Sequence, residues 1–280
     1  MVNQHFWQHP PWQGGTPKQR LGLKPLALSE WLSQPISVQC RLHKQRLLEE
    51  RYADVVAVLP HSNAAQLALK SRLAHLTHFS SAPVRYADDI ANLAAQVSDD
   101  LCLLDVDDDQ RLIAACLCSP SYWRLSEKLG QPLWAVHGGV PGLNRKIGAN
   151  IDRFIRRAPI MQPFVRCNWF FHGDALRFHL NEETQLPSPV AHWYIRSERQ
   201  TLCKISARYL LFTIDVVTEP LADLVHFVEA AVDLNLSLQR MDEDEVQHFG
   251  GVDKHCRLMS YVQRIAGSRT ARQGKSGASL

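Results

Sequence analysis

Residues 192–217 read HWYIRSERQTLCKISARYLLFTIDVV, and this stretch decides the fold. HWYIRSERQTLCKI and YLLFTIDVV are rich in β-branched and aromatic residues and meet near Ser206 and Arg208, so they read as two long neighbouring strands. Side chains alternate along the first. His192, Tyr194, Arg196 and Glu198 lie on one face, with Trp193, Ile195, Ser197 and Arg199 on the other. Charged residues are poor strand formers and costly to bury alone. Arg196 and Glu198, two apart on one face, therefore belong either to a polar cavity or to an internal ion-pair lattice.

Working outward, FVRCNWFF and ALRFHL flank Gly173 and Asp174, which reads as a hairpin. Arg166 and Asn168 share one face of its first strand, with Cys167 and Trp169 opposite. Converging polar groups in an aromatic-rich sheet suggest a pocket lining, with a structural lattice as the rival reading. Further upstream, LCLLDV and RLIAACLC form a second hairpin around an acidic turn, Asp107 to Asp109. Helices are expected before the sheet over 35–52, from Ser62 or Asn63 to Leu76, and over 88–97. After it they are expected over 221–238 and 252–265. SYWRLSEKL reads as a helix with Ser119 as N-cap, Pro120 at its first position and Gly130 at its end. QPLWAVH reads as extended, and 144–158 as an amphipathic helix with Ile147, Ile151, Phe154 and Ile155 on its apolar face. The sum is an α+β fold: N-terminal helices, a central antiparallel sheet, C-terminal helices. An irregular arm (1–27), one domain (28–266) and a disordered basic tail (267–280) are the expected divisions.

The 280 residues are 45% apolar and 21% charged, an ordinary globular composition. No apolar run is long enough to cross a bilayer, and MVNQHFWQHPPWQGG lacks the pattern of a secretory signal. The net charge of +3 is matched by Arg269, Arg272 and Lys275 in the tail, so the near-neutral body argues against nucleic acid as a partner. The seven cysteines form no CxxC pair and mostly sit in apolar runs, as free thiols in a reducing cytoplasm do. Cys116 and Cys118 have no second ligand pair nearby to make a metal site.

Thirteen histidines occur, none with metal-ligand spacing. His5 and His9 fall in the irregular start, and His75 and His78 on a helix surface. His137 differs because it ends LWAVH and enters Gly138, Gly139, Val140, Pro141, Gly142. Its imidazole can enter a cavity, and the glycines leave room for a flat macrocycle, as a heme ligand requires. A capping or core histidine is the competing reading. The 144–158 helix carries Arg145, Lys146, Arg153, Arg156 and Arg157 against Asp152, either as a solvated face or as an anion site for propionates or a nicotinamide phosphate.

The ordered series SPSYWRLSEKLGQPLWAVHGGVPGLNRKIGANIDRF, VRCNWFF, RSERQTLCKI and YLLFTIDVV resembles the heme-dependent oxidative N-demethylase alpha subunit family (dimethylamine monooxygenase-like). Weaker similarity reaches back through LLEERYADVVAVLP and LCLLDV. The resemblance implies a PAS-like core holding heme b through one histidine. It also implies oxidative N-demethylation of a small amine with release of formaldehyde. Electrons would come from NADPH through partner reductase subunits, since the chain has neither GxGxxG nor an iron–sulfur cysteine spacing. By matched position it implies His137 as the iron ligand and Glu198 with Arg196 as the catalytic pair. Arg199, Asn168 and Trp169 are implied as heme contacts, and Arg166, on the face of Asn168, joins them. Two positions depart from the family pattern. Gly138-Gly139 replaces an Ala-Pro, and Asp215 stands where a basic residue is usual. A non-catalytic heme-binding or sensor module is therefore the alternative.

Overall fold

The computed structural model describes residues 2–16, 20–33, 35–76, 84–183 and 186–276, with side chains described to 267. Seven strands make one sheet: β1 Lys24–Pro25, β2 Val56–Val58, β3 Asp100–Asp105, β4 Arg111–Cys116, β5 Phe164–His172, β6 Tyr194–Lys204 and β7 Tyr209–Pro220. Their order is β1-β5-β6-β7-β3-β4-β2, and every neighbouring pair is antiparallel. With helices on either side of it in the chain, the fold is α+β, as the alternating pattern implied. The β6–β7 turn closes where expected: Ser206 Oγ accepts from Tyr209 N at 3.0 Å.

One face of the sheet carries two apolar regions, separated by the polar pairs Arg199–Asp215 and Thr201–Thr213 of β6 and β7. Beside β3, β4 and β7, Leu101, Leu103 and Leu211 pack on the helices Val38–Glu50, Asn63–Leu73 and Asp89–Ala94. Beside β5 and β6, Trp169, Phe171 and Ile195 pack on the helices Val228–Gln239 and Gly251–Ser276. The opposite face is divided. The helix Ala149–Arg157 lays Ile151, Phe154 and Ile155 on Leu104, Leu202, Leu210 and Phe212. Next to that contact, the register sets Asn168 opposite Glu198, Phe170 opposite Arg196 and His172 opposite Tyr194. Directly opposed residues share a face, so the polar side chains of both strands converge there.

A buried cation ties the N-terminal helices to the sheet. Lys44 is 1% exposed, donates to Ala94 O at 3.1 Å and to Asp99 O, and lies 3.5 Å from Asp100. Asp100 in turn accepts from Ser119 N at 2.7 Å. Burial first, then the nearby Asp215 carboxylate, pushes the Asp99 carboxyl up to about 6.

Several segments depart from the expectation. The start contains a helix, Gln4–Gln8, and a 3-10 turn, Gln13–Gly15, because the Trp7 and Trp12 indoles are too large to leave in water and enter the C-terminal core. Trp12 Nε1 donates to Ala230 O at 2.8 Å. SYWRLSEKL is helical only over Leu125–Lys128. Tyr122 sits at φ 62°, and its N–H bonds His179 O at 2.9 Å while His179 N bonds Pro120 O at 3.1 Å. That bonding also removes ALRFHL from the sheet, so β5 pairs with β6 and β1 rather than with 175–180. QPLWAVH is a helical turn, Leu133–Val136, started by Pro132 and followed by the 3-10 turn His137–Gly139. The amphipathic helix opens with a π turn, Asn144–Gly148, and the 221–238 helix with a 3-10 turn, Leu221–His226. Two short edge strands, β1 and β2, and the helix Glu243–Phe249 carry no periodicity long enough to read. The last helix continues through Ser276, beyond its expected end and into the expected tail. His78 and residues 277–280 lie outside the described residues.

If the first residues belong to the core, Trp12→Ala lowers unfolding free energy by about 3–5 kcal/mol, the usual cost of deleting a buried indole. Urea denaturation checks this. A change below about 0.5 kcal/mol, typical of surface positions, would place Trp12 in solvent.

Candidate functional site

The polar face of β5 and β6 is built around a guanidinium. Arg196 is 1% exposed, and its Nε donates to Glu198 Oε1 at 2.9 Å. Its two terminal nitrogens donate to Arg177 O, at 3.0 Å, and to Ser119 O. Glu198, 6% exposed, accepts a second bond from Gln200 Nε2 at 3.0 Å on its other oxygen. Both charges are therefore paired, which burial demands.

Arg166 lies two residues from Asn168 on the same face. Among the described residues it makes no hydrogen bond and no ion pair, while burial, then the Arg20 charge, lowers its pKa and Glu198 opposes the shift. A half-buried guanidinium without a partner is a place for an anion.

His137 stands on its 3-10 turn at the rim of a hollow of about 380 Å³, with Leu133, Trp134, Asn144, Ile151 and Asp152 around it. Small-molecule and cofactor pockets run from roughly 300 to 1,000 Å³. Burial, followed by the charges of Arg166 and Lys128, depresses the His137 pKa to about 4. The ring is consequently neutral at ordinary pH, the form that ligates a metal. The same loop, through Gly139 and Pro141, borders a larger hollow of about 940 Å³ shared with Tyr122, Phe170, Glu183 and Lys254. There burial lowers the Lys254 pKa to about 8.

The structure thus brings Arg166, Asn168, Arg196 and Glu198 to one face and puts His137 within reach of the Arg166 field. Trp169 and Arg199 go to the opposite face. Trp169 packs at 5.5 Å from Trp12 and 5.9 Å from Phe249, in the apolar core. Arg199 donates to Trp31 O at 3.1 Å and lies 3.8 Å from Asp99. Alternation on each strand turns both side chains, expected as heme contacts, away from the two hollows. The basic helix is largely neutralised: Arg156 pairs with Asp152 at 2.9 Å, Arg145 with Asp244 at 2.5 Å and Lys146 with Asp242 at 2.5 Å.

A group of residues that the sequence did not mark lies behind the wall that Tyr122 and Glu183 give the larger hollow. His172, 1% exposed, stacks on Tyr122 at 4.8 Å and lies 4.6 Å from His179, ring centre to ring centre. Burial, then Arg196, holds the His172 pKa at about 2. Two histidines seven apart were the available signal, but the segment between them follows no regular period.

The family model described as HODM_asu-like, "Haem-dependent oxidative N-demethylase, alpha subunit-like", matches residues 46–255. No curated protein matches the chain. Among the described residues, no helix is long and apolar enough to cross a membrane.

A histidine whose folded pKa lies below its ordinary 6.5 takes up a proton more readily once unfolded. Its contribution to stability is complete above pH 6.5 and is lost as the pH falls through about 4. Histidine-labelled NMR should give a His137 midpoint near 4, and His137→Gln should lessen the loss of stability between pH 6.5 and 4. A midpoint near 6.5 would put the ring in bulk water.

Proposed function

The chain belongs to the haem-dependent oxidative N-demethylase, alpha subunit-like family, and from that premise we propose that it holds heme b and oxidatively demethylates a small methylated amine, releasing formaldehyde. Electrons come from NADPH through partner reductase subunits in this reading. One observation carries it: a neutral imidazole, His137, without a hydrogen-bond partner among the described residues, lines a partly apolar hollow and feels the charge of Arg166, a guanidinium with no acceptor among the described residues.

That donor set fits the cofactor. His137 would hold the iron, since an imidazole kept neutral by burial offers a lone pair without first losing a proton. Arg166 takes a propionate, because a planar guanidinium left without a protein acceptor matches a carboxylate in geometry and charge. Asn168, opposite Glu198 in the register, adds a polar contact on the same face. Heme b, when bound, supplies the redox chemistry that activates oxygen beside the amine.

The chain's own residues handle the proton. Glu198 is the group that gives and takes it, since its carboxylate is nearly enclosed and fixed at both oxygens. Arg196 is a positioning residue. Its Nε and both terminal nitrogens are committed to Glu198 and two backbone carbonyls, so it orients the carboxylate rather than touching the amine.

Protein reconstituted with heme should show a Soret band that His137→Ala abolishes or shifts and that Arg166→Ala leaves at heme affinity lower by about tenfold, near 1.4 kcal/mol. With a competent reductase, short methylated amines should yield formaldehyde. Glu198→Gln should retain heme and lose roughly 10²–10⁴-fold in rate, the usual worth of one acid–base group. Heme binding without formaldehyde from any such amine would leave the non-catalytic module, and no Soret band at all would end the reading.

A further inference from the structure

We infer that His172, His179 and Glu183 form a second, non-heme site for one divalent first-row transition metal at the wall of the larger hollow. One ligand atom from each of the three residues lies within 4.8 Å of the other two. An ion bound at about 2.0–2.2 Å keeps its donors within roughly 4 Å of one another, so closure needs a side-chain movement of about 1 Å.

The bonding around the cluster leaves the right atoms unused. His179, whose side chain is 9% exposed, has Nε2 at 3.0 Å from Asp174 Oδ1, while its Nδ1 is buried without a partner. With Nε2–H donating to Asp174, Nδ1 is a bare acceptor. A carboxylate on the outer nitrogen of a histidine is the usual support of a metal ligand and fixes its tautomer. Glu183 is held in a related way: Oε1 accepts from Gly173 N at 2.7 Å, and Oε2 is buried with the Tyr122 hydroxyl nearby but no hydrogen bond of normal geometry among the described residues. Two enclosed acceptors that converge cannot bond to one another, and a cation between them satisfies both. The third donor, His172, makes only long contacts, 3.3 Å to Ser121 Oγ and 3.4 Å to Tyr122 Oη.

Two imidazoles and one carboxylate select zinc, iron(II) or cobalt(II) over calcium or magnesium, which prefer oxygen donors alone. Glu183, Ser121 and Tyr122 line the 940 Å³ hollow, so the ion keeps open positions on that side for water or a small ligand. The site does not depend on heme, because His137 lines the other hollow.

Cobalt(II) titrated into the purified full chain reads the site through its visible ligand-field bands. One equivalent should bind with a dissociation constant on the order of 1 μM or tighter. Asp174→Asn, at a half-exposed position, should weaken binding about 10–100-fold by releasing the His179 tautomer. His179→Gln and Glu183→Gln should weaken it further, at unchanged circular dichroism, while His137→Ala binds as the parent does. No saturable binding of one equivalent overturns the assignment. So does binding that survives both His179→Gln and Glu183→Gln, or that disappears with His5→Ala, which would locate the ion on the N-terminal His5 and His9 pair, 5.2 Å apart.

Discussion

The arrangement depends on how one buried guanidinium is satisfied. Arg196 sits in the middle of β6 with almost no contact with water, and a lone charge there would cost several kcal/mol. Its partners come from three places: Glu198 on the same strand, the Ser119 carbonyl just after β4, and the Arg177 carbonyl in the connection between β5 and β6. Both irregular segments are drawn onto the polar face by this one side chain. Tyr122 and the 173–183 segment follow, so the wall of the larger hollow and the His172, His179, Glu183 cluster are placed by a charge that itself takes no part in binding.

The two faces of the sheet divide the labour between stability and chemistry. The apolar face carries Trp169, Phe171, Leu101 and Leu211 into two packed cores, and even its polar members are used up in structure. Trp31 Nε1 donates to Thr201 Oγ1 at 3.1 Å, and Thr201 shares a bond with Thr213 at 2.7 Å. On the other face the helix Ala149–Arg157 and the apolar cluster around Cys102, Leu112 and Ile214 occupy part of the surface, and charged and titratable groups lie on its β5 and β6 part. Burial there acts on ionisation rather than on packing. It keeps His137 and His172 neutral and leaves Arg166 seeking an acceptor. Membership of the N-demethylase family and this asymmetry point the same way, toward a sheet whose second face serves a ligand.

Alternation of side chains was legible in the sequence and carried far. It separated Arg196 and Glu198 from Arg199, and Arg166 and Asn168 from Trp169. It could not say which face of β5 meets which face of β6. Only the register, Asn168 against Glu198, joins the four on one face and sends Trp169 to the apolar core and Arg199 to the opposite face. Local propensity likewise marked Ser119, Pro120 and the following residues as a helix, yet Tyr122 at φ 62° follows from long-range bonds to His179.

By itself, then, the sequence determined the α+β class, the long strands, the amphipathic helix and the family, because each is written in short-range periodicity or in ordered motifs. Tertiary structure alone decided that Trp7 and Trp12 close a core some two hundred residues away, that His137 rides on a helical turn, and that a histidine at the end of β5 converges with a histidine and a glutamate from the irregular chain after it. Those outcomes depend on which distant groups burial forces into contact, and nothing in a local window records that.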